Sequence, residues 1–396
     1  MRYTYNMRIG IDVRLWDETG VGRYIRNLVK ELAVVDVRNE YYLFTLKKDV
    51  SEIEKVIVSR KHRWRIVPVA SHWHSLSEQT DFVRKLYTYP LDLMHFPYFS
   101  LPILYRKPFV VTIHDLIIHH FDTGKASTLS LPMYKTKRFF FQQVLRYGLN
   151  ASQKVIVPLE CVKEDLIKTF NVNEEKVVVT KEGYDSSISN GKEQMAKSNE
   201  NYFLYVGNAY PHKNLENLIK GFLLFKSKLI PSVLTGTNLL KGEDDKEFKL
   251  LFVGKKDYFY DKFEKQYKHN TDIVFMHTVS DSELAKLYRE ANAFVSASLM
   301  EGFGLPPLEA MANGCVPLLS DIPSFREVCG SGAIYFDQID PQKISSAMLE
   351  WMKVSQSEKK KLVDTGRNRV KIFSWKTMAE ETKRLYEGST SLRSSK

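Results

Sequence analysis

From Met7 the apolar residues fall on alternate positions, Met7, Ile9, Ile11 and Val13, a period of two that predicts a strand. Past Gly20 and Gly22 the period changes, and Ile25, Leu28, Val29, Leu32 and Ala33 recur at helical spacing. Short apolar runs follow at 41–46, 65–69, 93–96, 109–113, 155–158 and 177–180, separated by segments long enough for helices. That alternation predicts a parallel sheet wound by helices. Residues 184–201 are polar, rich in Ser and Asn and without period, and read as an interdomain linker. The pattern then restarts, with strands at 202–206, 250–253, 273–276, 293–296 and 316–319 and helices from Asn214, at 281–290 and at 306–313. The chain is therefore expected to hold two tandem, doubly wound α/β domains, residues 1–190 and 200–372, with a ligand site in the cleft between them.

A length of 396 residues suits two such domains, and 43% hydrophobic with 27% charged residues excludes disordered and fibrous classes. The apolar runs are far short of the ~20 residues that span a bilayer. The opening MRYTYNMRIGIDVRL lacks the apolar stretch of a signal peptide, so a cytoplasmic location is expected. Cys161, Cys315 and Cys329 show no C-x-x-C spacing and suit neither a disulfide framework nor a cysteine zinc site. The net charge of +11 leans N-terminal: residues 1–190 hold 28 basic and 21 acidic residues, the rest 30 and 26. Such a surplus fits nucleic acid, an anionic membrane or a phosphorylated ligand. No RRM, KH or zinc-finger motif is present, so no nucleic acid is expected.

The most informative stretch is Glu301-GFGLPPL-Glu309-AMANG, where a Gly-rich turn leads from a strand into a helix opened by prolines and closed by Gly314. A helix start above a sheet offers N–H groups and a positive dipole end, which favour phosphate. Glu309, in the first helical turn, is placed to accept hydrogen bonds from a pair of sugar hydroxyls; the plain alternative is a carboxylate that complements the helix dipole, with Glu301 a solvated loop residue. Gly20 and Gly22 do not make a dinucleotide fingerprint, since the third glycine position is Ile25. They read as a tight loop ahead of a helix, suited to a diphosphate or an acceptor, with Arg23 either a phosphate ligand or a solvated cation.

With these residues the chain resembles the retaining GT-B glycosyltransferases of family 4, whose signature is E-x7-E followed by an AM-x-x-G helix. The resemblance takes in Gly20-Val21-Gly22-Arg23-Tyr24, Thr112-Ile113-His114-Asp115, Gly207-Asn208-Ala209-Tyr210-Pro211-His212-Lys213-Asn214 and Phe373-Ser374-Trp375. The G-V-G-R-Y opening is most similar to the mannosyltransferase-like members that build O-antigens and capsules. The resemblance implies a GT-B fold of two facing Rossmann-like domains, with a final helix at about 375–390 crossing back onto the first. It implies transfer of a hexose, mannose among the candidates, from a nucleotide-diphosphate sugar, GDP-mannose or a UDP-hexose, to a glycan or lipid-linked acceptor.

By the same resemblance Glu309 holds the ribose, Glu301 faces the donor sugar, and the backbone of Phe303, Gly304 and Leu305 lines sugar and phosphates. His114 lies by the donor sugar, giving a hydrogen bond and a backbone carbonyl near the anomeric carbon; His119 and His120 have no such match and read as structural. An Arg common after the glycine matching Gly207 is here Asn208, which leaves Lys213 and the helix N-termini to meet the diphosphate. Arg326 is a further cation or a surface arginine. No D-x-D occurs, and neither a metal nor a cofactor is expected. Retention is expected by front-face substitution, since no carboxylate nucleophile stands out.

The segment Tyr134-KTKRFFFQQVLRYGLN sets Lys135, Lys137, Arg138 and Arg146 among Phe139, Phe140 and Phe141. It reads either as a helix covering the sheet or as a peripheral contact with an anionic membrane. Arg60-KHRWR is a second basic cluster with a solvated loop as its plain reading. The rival to an enzyme is a non-catalytic nucleotide-sugar-binding protein, which needs Lys213 and Glu309 but neither Glu301 nor His114.

Overall fold

The computed structural model describes residues 6–58, 62–121, 131–184, 201–234 and 247–390. The linker expected at 184–201 and the start of the Arg60 cluster lie largely outside these residues. Two compact units emerge, one with the first sheet, ending at Gly183 and taking the chain back at Ser374, the other holding Tyr184–Phe373.

The first unit contains seven parallel strands, β1 Arg8–Asp12, β2 Glu40–Leu46, β3 Trp64–Val69, β4 Leu93–Phe96, β5 Phe109–Thr112, β6 Lys154–Val157 and β7 Val177–Val179, in the order β3-β2-β1-β4-β5-β6-β7. In register, Ile9 lies beside Tyr41 on one side and Leu93 on the other. Helices cover both faces, so the central strands bury every residue, as in β4 and β5. The helix Gly20–Val35 buries Ile25, Leu28, Val29 and Leu32 and exposes Lys30, as its spacing requires. Its start differs from expectation: Gly20 and Gly22 are its first turn rather than a loop before it. A Cβ on Gly22 would stand 2.7 Å from the Leu15 carbonyl oxygen and 2.8 Å from that of Trp16, so close packing of the preceding turn accounts for this glycine.

The helix Trp375–Thr390 packs on Gly20–Val35 within the first unit and buries Met378, Ala379 and Tyr386. Each large apolar side chain so covered contributes ~1.5–3 kcal/mol. A polar chain fixes its register. The Tyr386 hydroxyl lies 2.6 Å from His95 Nδ1, His95 Nε2 lies 2.8 Å from Thr112 Oγ1, and Thr112 Oγ1 lies 3.3 Å from the Tyr24 hydroxyl. Burial and the nearby His114 push the His95 pKa down to about 3, so its neutral ring donates at one nitrogen and accepts at the other.

The second unit has six parallel strands, β8 Asn201–Val206, β9 Phe248–Val253, β10 Ile273–Met276, β11 Ala293–Ser296, β12 Pro317–Ser320 and β13 Ile334–Phe336, in the order β10-β9-β8-β11-β12-β13. Its core is aromatic, with Phe203, Phe225 and Phe248 meeting edge to face at 5.3 Å between neighbouring rings. The three-residue edge strand β13 carries no periodic signal and is absent from the sequence reading. In both sheets the winding reverses beside the first strand, between β1 and β4 and between β8 and β11. Groups at the C-terminal ends of those strands are the ones a ligand meets.

Candidate active site

At the reversal point of the second sheet, the chain leaves β8 through Gly207 and Asn208 and makes one tight turn, Pro211–Lys213. Asn214 closes the turn in a left-handed conformation with φ of 55°, its Nδ2 donating to the carbonyls of Ala297 (3.1 Å) and Gln338 (2.8 Å). Across the gap, β11 runs on to Ser298 and the loop holding Glu301. The Leu299 N–H donates to the His212 carbonyl at 2.8 Å, joining the two loops. Lys213 Nζ is thereby brought 2.7 Å from both carboxylate oxygens of Glu301, and the Ser298 hydroxyl donates to Oε1 at 2.7 Å. Burial pushes the Glu301 pKa up, but Lys213, His212 and Ser298 outweigh it and hold the carboxyl below the ordinary glutamate range. The two side chains are each only 14% exposed.

The loop ends at Gly304, whose φ of 102° and a Phe325 ring atom 3.0 Å from any Cβ restrict the position to glycine. The helix Leu305–Ala312 begins one residue before the prolines. Two of its first four positions are Pro306 and Pro307 and carry no N–H, and Leu308 N donates back to the Gly304 carbonyl at 3.4 Å. Among the described residues, the N–H groups of Phe303, Gly304 and Leu305 meet no acceptor. Among the described residues, the backbone donors left open here therefore belong chiefly to the glycine loop rather than to the helix itself.

Glu309 lies in the second turn, not the first, and is 2% exposed. The Tyr288 hydroxyl donates to its Oε2 at 3.1 Å, and Asn313 Nδ2 donates to its carbonyl at 2.9 Å. Buried and held by named donors, it is no solvated first-turn acid. The Asn208 carbonyl accepts from the Tyr205 hydroxyl at 2.7 Å, which fixes the β8 loop. Arg326 has both faces of its fork taken by Asp321, at 2.7 and 2.8 Å, and stacks 3.8 Å over Tyr335. Its side chain lies at the surface, paired with Asp321.

In the first unit His114 follows β5 and is buried, but its ring is not available to donate to a sugar. Nδ1 lies 2.9 Å from Glu182 Oε1 and Nε2 lies 2.9 Å from the Pro97 carbonyl. Two acceptors require two N–H groups, hence an imidazolium; burial pulls the pKa down, and the Glu182 bond and charge outweigh it and raise it. A second buried charge group sits at the end of β1. Arg14 donates to Asp12 Oδ2 at 2.7 Å and to Glu78 Oε1 at 2.6 Å and lies 3.9 Å from the Phe82 ring. Of the residues not singled out in the sequence, Ser298 was the most findable, one helical turn's spacing before Glu301; Glu182 and Glu78 carried no local signal. His120 pairs with Asp165 at 2.8 Å and His119 packs on Phe170, as structural residues.

Trp64, inside the second basic cluster, is buried in β3 and stacks on Tyr41 at 4.2 Å, while Arg63 donates to the Arg38 carbonyl at 2.7 Å, so this part is a sheet edge and not a free loop. The helix Leu131–Ala151 splits along its length. Phe141 packs on Phe99 at 4.5 Å, whereas Met133, Phe139 and Phe140 are 58%, 57% and 62% exposed beside exposed Lys135 and Lys137. Among the described residues no helix is long and apolar enough to cross a membrane, and no group of three metal-binding side chains occurs.

Two family models match adjoining parts of the chain: Glycosyltransferase Family 4 over residues 19–187 and Glycosyl transferases group 1 over residues 188–369. The O-antigen chain mannosyltransferase RfbU of Salmonella typhimurium is 28% identical over 78% of this chain and 76% of its own length. The O-antigen chain mannosyltransferase B of Escherichia coli is 26% identical over 93% and 96%. In fold the chain is similar to a glycosyltransferase from Rickettsia africae (TM-score 0.70, 16% identity, 97% and 98% covered) and to Anabaena HepE in complex with UDP and glucose (TM-score 0.68, 14% identity, 97% and 100% covered). With two parallel-sheet domains, the paired motifs at the sheet reversal and matches that run from residue 19 to residue 369, the chain belongs to the family 4 glycosyltransferases of GT-B fold.

Proposed function

We propose that this glycosyltransferase moves a hexose, with mannose from GDP-mannose the first candidate and a UDP-hexose the alternative, to a hydroxyl of a glycan or lipid-linked acceptor in cell-surface polysaccharide synthesis, with retention at the anomeric carbon. The observation that carries the reading is the Lys213–Glu301 pair beside the unbonded N–H groups of Phe303, Gly304 and Leu305 at the reversal of the second sheet. A cation and backbone donors at one point suit a diphosphate; a carboxylate alongside suits the hydroxyls of its sugar. Glu309, held by Tyr288, takes the ribose. The names of the two bacterial relatives support mannose and the O-antigen setting.

In the reaction the bond from the anomeric carbon to the phosphate oxygen breaks, the acceptor oxygen bonds to the same face, and its proton passes to the departing phosphate. Lys213 and the loop amides stabilise the charge that develops there, with no metal ion required. Both ring nitrogens of His114 are committed within its own unit, so its contribution comes through its main chain and fixed charge. The test is transfer from GDP-mannose and UDP-glucose to a lipid-linked acceptor, with the product anomer read by NMR. Glu301→Ala should chiefly lower kcat and Glu309→Ala chiefly raise donor KM, each lost charged hydrogen bond costing ~1.5–3 kcal/mol. Wild-type constants in both variants would remove this loop from the active site.

A second element of the reading is contact of the first unit with an anionic membrane. It is favoured by the exposed Met133, Phe139 and Phe140 among Lys135 and Lys137.

A further inference from the structure

Most histidine rings that the structure buries are pinned. His95 and His114 have partners at both nitrogens, and His277 holds Glu264 at 2.9 Å and the Gly254 carbonyl at 3.3 Å. Two histidine ring nitrogens are buried with no hydrogen-bond partner among the described residues, His119 Nδ1 and His212 Nδ1, and of the two only His212 adjoins Lys213. It is 7% exposed, it directly precedes Lys213 in the turn after β8, and its Nδ1 is buried with no hydrogen-bond partner among the described residues. Turning this ring therefore breaks no hydrogen bond among those residues. Its ring is flanked by two aromatic rings, Tyr210 at 6.0 Å and Phe121 at 6.2 Å between centroids.

Among the described residues the charges that face it are Lys213 and Glu301. Burial and then the Lys213 ammonium pull the imidazole pKa down to about 4, with Glu301 opposing, so the ring is neutral at physiological pH. The two charges also cancel each other, since Lys213 is already bound to Glu301 through both oxygens. A nucleotide-sugar diphosphate, with two negative charges, thus enters a site whose one lysine is neutralised and where Asn208 supplies no cation. An anion at hydrogen-bond distance favours the charged form of an imidazole, and His212 is the group here that can gain charge.

We propose that His212 is a second ligand of the donor diphosphate, turning toward a phosphate oxygen and taking up one proton from solvent as the nucleotide-sugar binds. The inference rests on the donor-site reading above. Its sign is fixed by linkage. The ring is neutral before binding and protonated after, so donor binding strengthens as pH falls and the gain is lost as pH rises through the pKa of the bound state.

The experiment is calorimetric titration of GDP-mannose into the full chain at pH 6.5, in three buffers of different ionisation enthalpy, repeated at pH 6 and pH 8. A nucleotide-sugar is the right probe because, unlike a free nucleoside diphosphate, it has no phosphate group titrating near neutrality. We expect the apparent enthalpy to rise with buffer ionisation enthalpy at a slope of about 0.5 proton or more. Binding should be about tenfold tighter at pH 6 than at pH 8, as for a ring whose pKa rises from about 4 in the free protein to about 7 with the donor bound. His212→Gln should still bind, with a slope near zero and no pH dependence; His212→Asn serves equally should the first variant fold poorly. A wild-type slope of zero in the presence of binding heat overturns the proposal, as does an unchanged slope in the folded variants. No binding heat with GDP-mannose, UDP-glucose or ADP-glucose overturns the donor-site reading itself, and this inference with it.

Discussion

The imidazole of His114 owes its charge to Glu182, a carboxylate buried at the end of the first unit's main segment. Its pKa is raised above 6.5, so the stability it contributes is complete below that value and lost as pH rises through the folded-state pKa. Glu182→Gln keeps a hydrogen-bond partner and removes the charge. Thermal unfolding should show the wild type losing about 2–4 °C more than the variant between pH 6 and pH 9, the equivalent of roughly 1 kcal/mol. Equal losses would mean that the ring is neutral in the fold. Lys213 and Glu301 run the other way. With the Glu301 pKa lowered, their attraction is complete above the ordinary glutamate value of 4.5 and fades as pH falls through the folded-state pKa. Under the proposed reaction, Lys213→Ala removes the cation assigned to the leaving phosphate, and it leaves Glu301 without its ion pair. Turnover should fall on the order of 10²-fold, and EDTA should leave the wild-type rate unchanged; dependence on Mg²⁺ or Mn²⁺ would contradict this.

Among the elements, the loop from Ser298 to Leu305 depends on a backbone shape that only Gly304 adopts without strain. Gly304→Ala forces a side chain into φ of 102° and against Phe325, at a cost of about 1–3 kcal/mol. The measurable results are a lower melting temperature of the second unit and a raised donor KM, because the N–H groups of Phe303 and Leu305 turn with the loop. A variant with both values intact would show that the loop relaxes elsewhere. The helix Leu131–Ala151 presents a different balance, aromatic and basic side chains exposed together over its first half. Each lysine near an anionic leaflet contributes ~1 kcal/mol, enough for reversible attachment only. Sedimentation with phosphatidylglycerol vesicles should show binding that falls with salt, since exposed charges are screened within a Debye length of ~10 Å. Lys135→Glu with Lys137→Glu should abolish it and leave donor binding unchanged; salt-insensitive binding would rule out this contact.

Each of the two sheets reverses its winding beside its own first strand, and the first unit takes in the helix Trp375–Thr390. The Tyr386 hydroxyl and His95 meet across 291 residues of sequence, so this buried imidazole lacks its partner until the helix Trp375–Thr390 has been made. Tyr386→Phe removes the partner of a fully buried imidazole nitrogen and should cost ~1–3 kcal/mol. Calorimetry should place that loss in the transition of the first unit and leave the second, which does not contain the helix, where it was. A loss shared by both transitions would mean that the units unfold as one.

How much of this was written in the sequence depends on the range over which each feature is decided. The strands Arg8–Asp12 through Pro317–Ser320 were legible because burial on both faces makes short apolar runs, and helices such as Gly20–Val35 and Asp281–Glu290 because one apolar stripe must face the sheet, whereas Glu160–Phe170 and Pro341–Lys353 were not placed. The stretch Glu301 to Glu309 was legible from its glycines and prolines together with the family resemblance, and Lys213 through the resemblance alone. The sequence did not contain the partners. That Gly20 and Gly22 begin a helix follows from carbonyls of the turn before it, and that His114 is charged and occupied follows from a glutamate 68 residues away. The burial of Glu309 and the bond between Lys213 and Glu301 likewise depend on loops that only the sheet order brings together. Periodicity records which side of an element is apolar. Charge state and hydrogen-bond occupancy belong to whatever the fold sets opposite, and tertiary structure alone decides that.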